Sequence, residues 1–136
     1  MPRLICSLLV GSALGMSGAL LQGMLKNGLA SPYLLGISAG SGLVIVFFIS
    51  FGLLQSFIPF AAWMGAILTT LIVFILSKDG NKIVVERLVL GGVAISSLFG
   101  AIQATLLLQV EDGRIQAALN WLIGSLNSRG WQEIKF

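Results

Sequence analysis

Charged residues divide the chain more clearly than any motif does. Leu4–Leu25 is a run of 22 residues without a charge, 27–77 is a run of 51, and Leu88–Val110 is a run of 23. About 20 apolar residues suffice to cross a bilayer. The first and third runs are therefore one span each. At about 1.5 Å per residue the second would reach about 77 Å as one helix, so it must break. Gly52 and Pro59 mark the break, since proline suits the first turn of a helix and not its middle. The pattern predicts spans near 4–25, 33–54, 58–77 and 86–110: an all-α, polytopic membrane bundle of about four spanning helices.

The predicted connections are short. Asn27-Gly28 and Ser31-Pro32 provide turn chemistry between the first two spans, and Asp79-Gly80 does so between the third and fourth. Beyond Val110 the apolar residues Ile115, Leu119, Leu122, Ile123 and Leu126 recur at helical spacing, with Gln116, Asn120 and Asn127 on another side. Twelve residues are too few to span. Segment 115–126 reads as an interfacial helix, with Trp121 and Trp131 suited to an aromatic belt. A lone Arg3 before an apolar stretch also resembles a signal peptide, but the apolar run continues to Leu25 and three further spans follow.

Composition agrees. Of 136 residues, 57% are apolar and 10% charged, against about 25% charged in soluble domains. A soluble globule and a disordered chain are both excluded. With no His and one Cys, the chain cannot build a zinc site, a Cys/His nucleophile pair or a disulfide framework from its own residues, and no metal or cofactor is expected. The net charge of +3 comes from scattered residues and describes no nucleic-acid face. An intramembrane enzyme has no nucleophile–base pair to work with. The absence of charges deep inside the spans also argues against a proton relay or voltage sensor.

Small residues form stripes on every span: Ser7, Gly11, Gly15, Gly18 and Gln22; Gly36 and Gly40; Ala61, Gly65 and Thr69; Gly92, Ser96, Gly100 and Gln103. In lipid, helices associate by close backbone approach and hydrogen bonding, so these stripes predict a tightly packed bundle. Gln22 and Gln103 are costly inside a bundle unless each finds a partner. Either could line a wet path or hydrogen-bond a neighbouring helix. Glu86 and Arg87 read as a charge pair at the entry of the fourth span, with a gating role as the alternative. Lys26, Lys78, Lys82 and Arg87 lie on one side of the membrane and Arg3, Arg114, Arg129 and Lys135 on the other. The last two lie far from a span, which tips the 26–32 and 78–87 connections toward the cytoplasm.

Three stretches together resemble a known family: Pro2-Arg3-Leu4 with Ser17-Gly18-Ala19-Leu20-Leu21-Gln22-Gly23; Asn27-Gly28-Leu29-Ala30-Ser31-Pro32 leading to Leu35-Gly36-Ile37-Ser38-Ala39-Gly40; and Arg87-Leu88-Val89-Leu90-Gly91-Gly92 with Trp121-Leu122-Ile123-Gly124-Ser125-Leu126. They are similar to the FecCD-type permeases, membrane subunits of ABC importers for iron-siderophores, haem and vitamin B12. The resemblance implies ten spanning helices per full subunit, of which this chain matches the second to fifth plus the short outer helix, as a fragment. It implies a multi-pass protein of the bacterial cell membrane. The partners it implies are a second permease subunit (the same or a different chain), two cytoplasmic ATPase subunits that hydrolyse the ATP, an extracytoplasmic substrate-binding protein and the lipid bilayer, with no nucleic acid.

On that pattern the fifth helix lines the translocation path, making Ser96, Gly100 and Gln103 candidates, with Gln22 from the second helix. Val85, Glu86 and Arg87 match the cytoplasmic gate in position, although the family is small and polar at the first two. Gly28 stands where the family usually has proline. Arg3 matches an outer-face arginine that docks the binding protein. The implied mechanism is alternating access. The competing reading is a complete small four-helix membrane protein with a structural or pore role; the stretch Gly130–Phe136 speaks against it, since it reads as the approach to another helix.

Overall fold

The computed structural model describes residues 2–28, 30–53, 55–80, 82–110 and 112–125. Trp131, Arg129, Lys135, Leu126, Asn127 and the 130–136 stretch lie outside the described residues. The first helix, α1, is Pro2–Leu25, and its 24 residues reach about 36 Å. It ends in a Schellman motif: the Asn27 amide donates to the Gln22 carbonyl and the Lys26 amide to that of Gly23. The residue in the left-handed conformation there is Lys26, at φ 49°, a position usually given to glycine.

The second charge-free run does not form two full-length helices. A 3-10 turn covers Pro32–Leu35, Gly36 sits at φ 71°, and α2 covers only Ile37–Ser50. Pro32 starts the turn, and a left-handed residue cannot continue a right-handed helix, so Gly36 resets the direction of the chain. Turn and helix together span at most about 29 Å, close to the hydrocarbon thickness. The second break falls at Gly52, φ 62°, which closes α2 with another Schellman pair: Gly52 amide to Ile49 carbonyl, Leu53 amide to Phe48 carbonyl.

After a second 3-10 turn at Gln55–Phe57, α3 runs Ile58–Leu76 with Pro59 in its first turn. A hairpin of β1, Lys78–Asp79, and β2, Lys82–Ile83, leads into α4, Val85–Leu108. The last element, α5, is Asp112–Ile123. The long helices α1, α3 and α4 are each apolar and long enough to cross a membrane.

The 14-residue α2 is the hub, packed against α3, α4 and α5. On the α3 side, a Cβ at Gly65 would come within 2.8 Å of the Gly40 carbonyl oxygen, so the two backbones all but touch. Thr69 is buried in the same seam, its hydroxyl donating to the Gly65 carbonyl at 2.8 Å. Val46, Ile49, Ile58 and Ala118 form an apolar cluster that joins α2, α3 and α5. At the other end Leu35, Val73 and Leu88 form a second cluster, joined by Leu21 and Leu25 of α1. Apart from that last stretch, α1 stands open, and its Gly11, Gly15 and Gly18 have nothing within reach.

A candidate translocation surface on α4

Two opposite faces of α4 do different things. One carries Leu88, Gly92, Ser96, Phe99 and Gln103 and is packed. Gly92 lies directly under the Leu34 carbonyl, where any side chain would collide with backbone. Ser96 donates to the Gly92 carbonyl at 2.7 Å and lies close to Gly36. Gln103 donates its amide to the Ala39 carbonyl on α2 at 2.9 Å. That bond joins two helices across the bundle, and it gives a half-buried polar group a partner. Of the two alternatives open for Gln103, hydrogen-bonding a neighbouring helix is what the structure contains.

The other face carries Leu90, Ala94, Ser97, Leu98, Ala101, Thr105 and Leu108, all exposed. Ser97 donates to the Val93 carbonyl at 3.0 Å and Thr105 to that of Ala101 at 2.9 Å. Folding the hydroxyls back onto their own helix satisfies them locally. The result is an uncharged surface on which the small residues Ala94, Ser97, Ala101 and Thr105 alternate with the exposed leucines Leu90, Leu98 and Leu108. Gly100 lies on the flank between the two faces, with open space beside it. Thus Ser96, Gly100 and Gln103, which sequence spacing placed together, are divided: two brace α4 against α2 and its preceding turn, and one borders the open face. The small-residue stripes read from the sequence do not include Ser97, Ala101 and Thr105, whose four-residue spacing is the available signal.

Gln22 donates to the Ala30 carbonyl at 3.4 Å and so ties the end of α1 to the following loop. Val85, Glu86 and Arg87 make up the first turn of α4. Glu86 is favourably placed near the positive helix end. Arg87 forms an ion pair with Asp79 of the hairpin at 3.3 Å, both side chains more than half exposed. Arg3 lies exposed in the first turn of α1, at the end of the molecule opposite Lys26. At that same end Arg114 of α5 donates to the Ser50 carbonyl at 2.9 Å, and its guanidinium lies over Gly52. It thereby caps α2 and pins the short helix to it.

The family model of the FecCD transport family matches residues 1–136. The chain belongs to the FecCD transport family. Among curated relatives, the achromobactin transport system permease protein CbrC of Dickeya dadantii is 37% identical over 99% of this chain and 39% of its own length. The Fe(3+)-citrate import system permease protein YfmE of Bacillus subtilis is 36% identical over 99% of this chain and 40% of its own length. The hemin transport system permease protein HmuU of Yersinia pestis is 35% identical over 98% and 42% respectively. A solved structure described as an inward-facing conformation of a metal-chelate type ABC transporter superposes with a TM-score of 0.85 at 27% identity, covering 98% of this chain and 42% of its own. The chain thus spans about two fifths of the length of the FecCD relatives it matches. As a FecCD segment it carries three helices, α1, α3 and α4, that are long and apolar enough to cross the cell membrane.

Proposed function

We propose that this chain forms one wall of the translocation path in an ATP-driven importer of the iron-chelate, haem or cobalamin class. The observation that carries the reading is the two-sidedness of α4: braced to α2 on one face by Gly92, Ser96 and Gln103, open on the other through Ser97, Ala101 and Thr105. A large chelate must pass without being held. A lining of small residues whose hydroxyls are already satisfied offers room and little affinity.

In this reading Gly100 borders the path, and Ser96, Gln103 and Gln22 keep its wall in place. Val85, Glu86 and Arg87 close the cytoplasmic end, where the Arg87–Asp79 pair couples the hairpin to the start of α4. Arg3 contributes to the outer docking face for an extracytoplasmic binding protein. A second permease subunit completes the path, and ATP hydrolysis in two cytoplasmic partner subunits drives alternating access.

Grafting tests this. The 136 residues replace the matched segment of the Bacillus subtilis Fe(3+)-citrate import system permease, and ferric citrate uptake is measured in cells lacking the native permease. Uptake that depends on the partner ATPase is the expected result. A graft that reaches the membrane in normal amount and assembles with the ATPase, yet carries no iron, would overturn the proposal.

A further inference from the structure

Two charged side chains stand at the start of the open face of α4, and only Arg87 is in an ion pair. Glu86 and Arg87 are both exposed and lie one turn before that face: at helical spacing 86 leads to 90, 97 and 101, and 87 to 90, 94 and 98. Arg87 is held by Asp79, which is also the cross-strand partner of Lys82. The Lys78 ammonium lies 5.6 Å from the centre of the Phe74 ring on α3. Among the described residues Glu86 makes no ion pair. With Val85, Val89, Leu90 and Asn27 it lines a groove of about 390 Å³ where the open face begins.

We propose that Glu86 is a specificity-determining residue that sets the charge class of the chelate, disfavouring net-anionic complexes and admitting neutral or cationic ones. The inference rests on the transport reading above and adds to it the sign of the cargo. From Leu90 to Leu108 the open face is uncharged, so Glu86 is the first unpaired charge met on it. The lysines of the two connections make this end basic as a whole, and Lys26 belongs to the turn that brings Asn27 to the groove. Salt screens exposed charges beyond about 8 Å, so the nearest charge decides the local sign. For a group at Leu90 that charge is Glu86, one helical turn or about 6 Å away, since Arg87 is neutralised by Asp79. Unit charges about 6 Å apart alter each other's local concentration about threefold in water, and about tenfold where screening is half as strong. Hydroxamate groups balance the ferric charge and leave a neutral complex, whereas the surplus carboxylates of citrate leave an anion. Ferric citrate therefore passes Glu86 more slowly than a neutral complex does, without being refused.

The test grafts the chain into two Bacillus subtilis permeases, those of the Fe(3+)-citrate and iron(3+)-hydroxamate import systems. Purified grafts carrying Cys6→Ser and Leu90→Cys are treated with an anionic sulfonatoethyl or a cationic trimethylammonioethyl methanethiosulfonate, each rate being taken relative to a free thiol. The cationic reagent should react faster. Glu86→Gln should raise the anionic-to-cationic ratio by about tenfold, because the two rates shift in opposite senses, while Glu86→Asp should move it less than about twofold. At Leu108→Cys, about 33 Å from Glu86 along the helix, Glu86→Gln should move the ratio less than about twofold. In cells, Glu86→Gln should raise ferric citrate uptake relative to ferric hydroxamate uptake by about threefold or more. A ratio at Leu90→Cys that ignores Glu86→Gln would overturn the proposal. So would a faster anionic reagent before that substitution, or an uptake gain shared equally by the two chelates. Grafts that carry neither chelate would contradict the transport reading, and the proposal would fall with it; the reagent ratio would still report whether the face is negative at Leu90.

Discussion

Gly92 is the residue whose side chain, or lack of one, decides how closely α4 approaches the chain before α2. Its missing Cβ leaves room for the Leu34 carbonyl, which is backbone and cannot rotate aside. Gly92→Ala should cost about 1–3 kcal/mol, the usual range for overpacking, read as a loss of unfolding free energy in detergent. Gln103→Leu keeps the volume and loses the bond to Ala39, so about 0.6 kcal/mol and no more than about 1.7 kcal/mol is expected. Lys26 acts in the other direction. Its left-handed backbone is strained for a residue with a Cβ, and Lys26→Gly should stabilise the end of α1 by about 1 kcal/mol, measured as slower amide exchange over residues 22–28. Much at this scale was legible in advance. Gly92 and Gly65 stood out by spacing alone, because membrane helices need small residues where they meet. The side of α4 on which Gln103 would find its partner was not legible. Small residues recur on both faces of that helix, so Gly92–Ser96–Gln103 and Ser97–Ala101–Thr105 look alike until α2 occupies one side.

At the scale of elements, the breaks explain the shape. Gly52 and Pro59 announce the α2–α3 connection in the sequence, since one permits a left-handed turn and the other suits a first turn. The break at Gly36 was harder to see. Its spacing to Gly40 reads as one half of a small-residue pair, while its φ of 71° and the close approach of α4 and Thr69 to it are features of the fold. That is why 33–54 reads as one span yet contains a 3-10 turn and a 14-residue helix. The α5–α2 junction depends on Arg114, which reaches a carbonyl 64 positions away and so leaves no local trace in the sequence. Arg114→Gln should weaken the junction by about 0.3–1 kcal/mol, seen as faster amide exchange across 112–123 with α3 unchanged. The Arg87–Asp79 pair is a contrasting case. Both side chains are more than half exposed, so Asp79→Asn should change stability by less than about 1 kcal/mol. Any larger effect of that substitution should appear in transport and not in unfolding.

For the whole molecule, the open faces are as informative as the packed ones. The α2 hub binds α3, α4 and α5 closely, while α1 and the outer side of α4 remain uncovered. Composition predicted the membrane; of the four expected spans, three are helices long and apolar enough to cross it, while 33–54 is divided into a 3-10 turn and a 14-residue helix. Which uncovered surface faces lipid, protein or a wet path depends on the assembly proposed above, and the difference between the two faces of α4 is what supports the surface proposed for the path. The most direct measurement is a cysteine scan of α4 in the grafted permease, with Cys6→Ser as background and a membrane-impermeant, water-soluble thiol reagent. Cysteines at Ser97, Ala101 and Thr105 should be modified, and their modification should block uptake, while one at Gln103 should stay untouched. Equal labelling at Gln103 and Ala101, or no labelling on the 97–101–105 face, would contradict the proposed path.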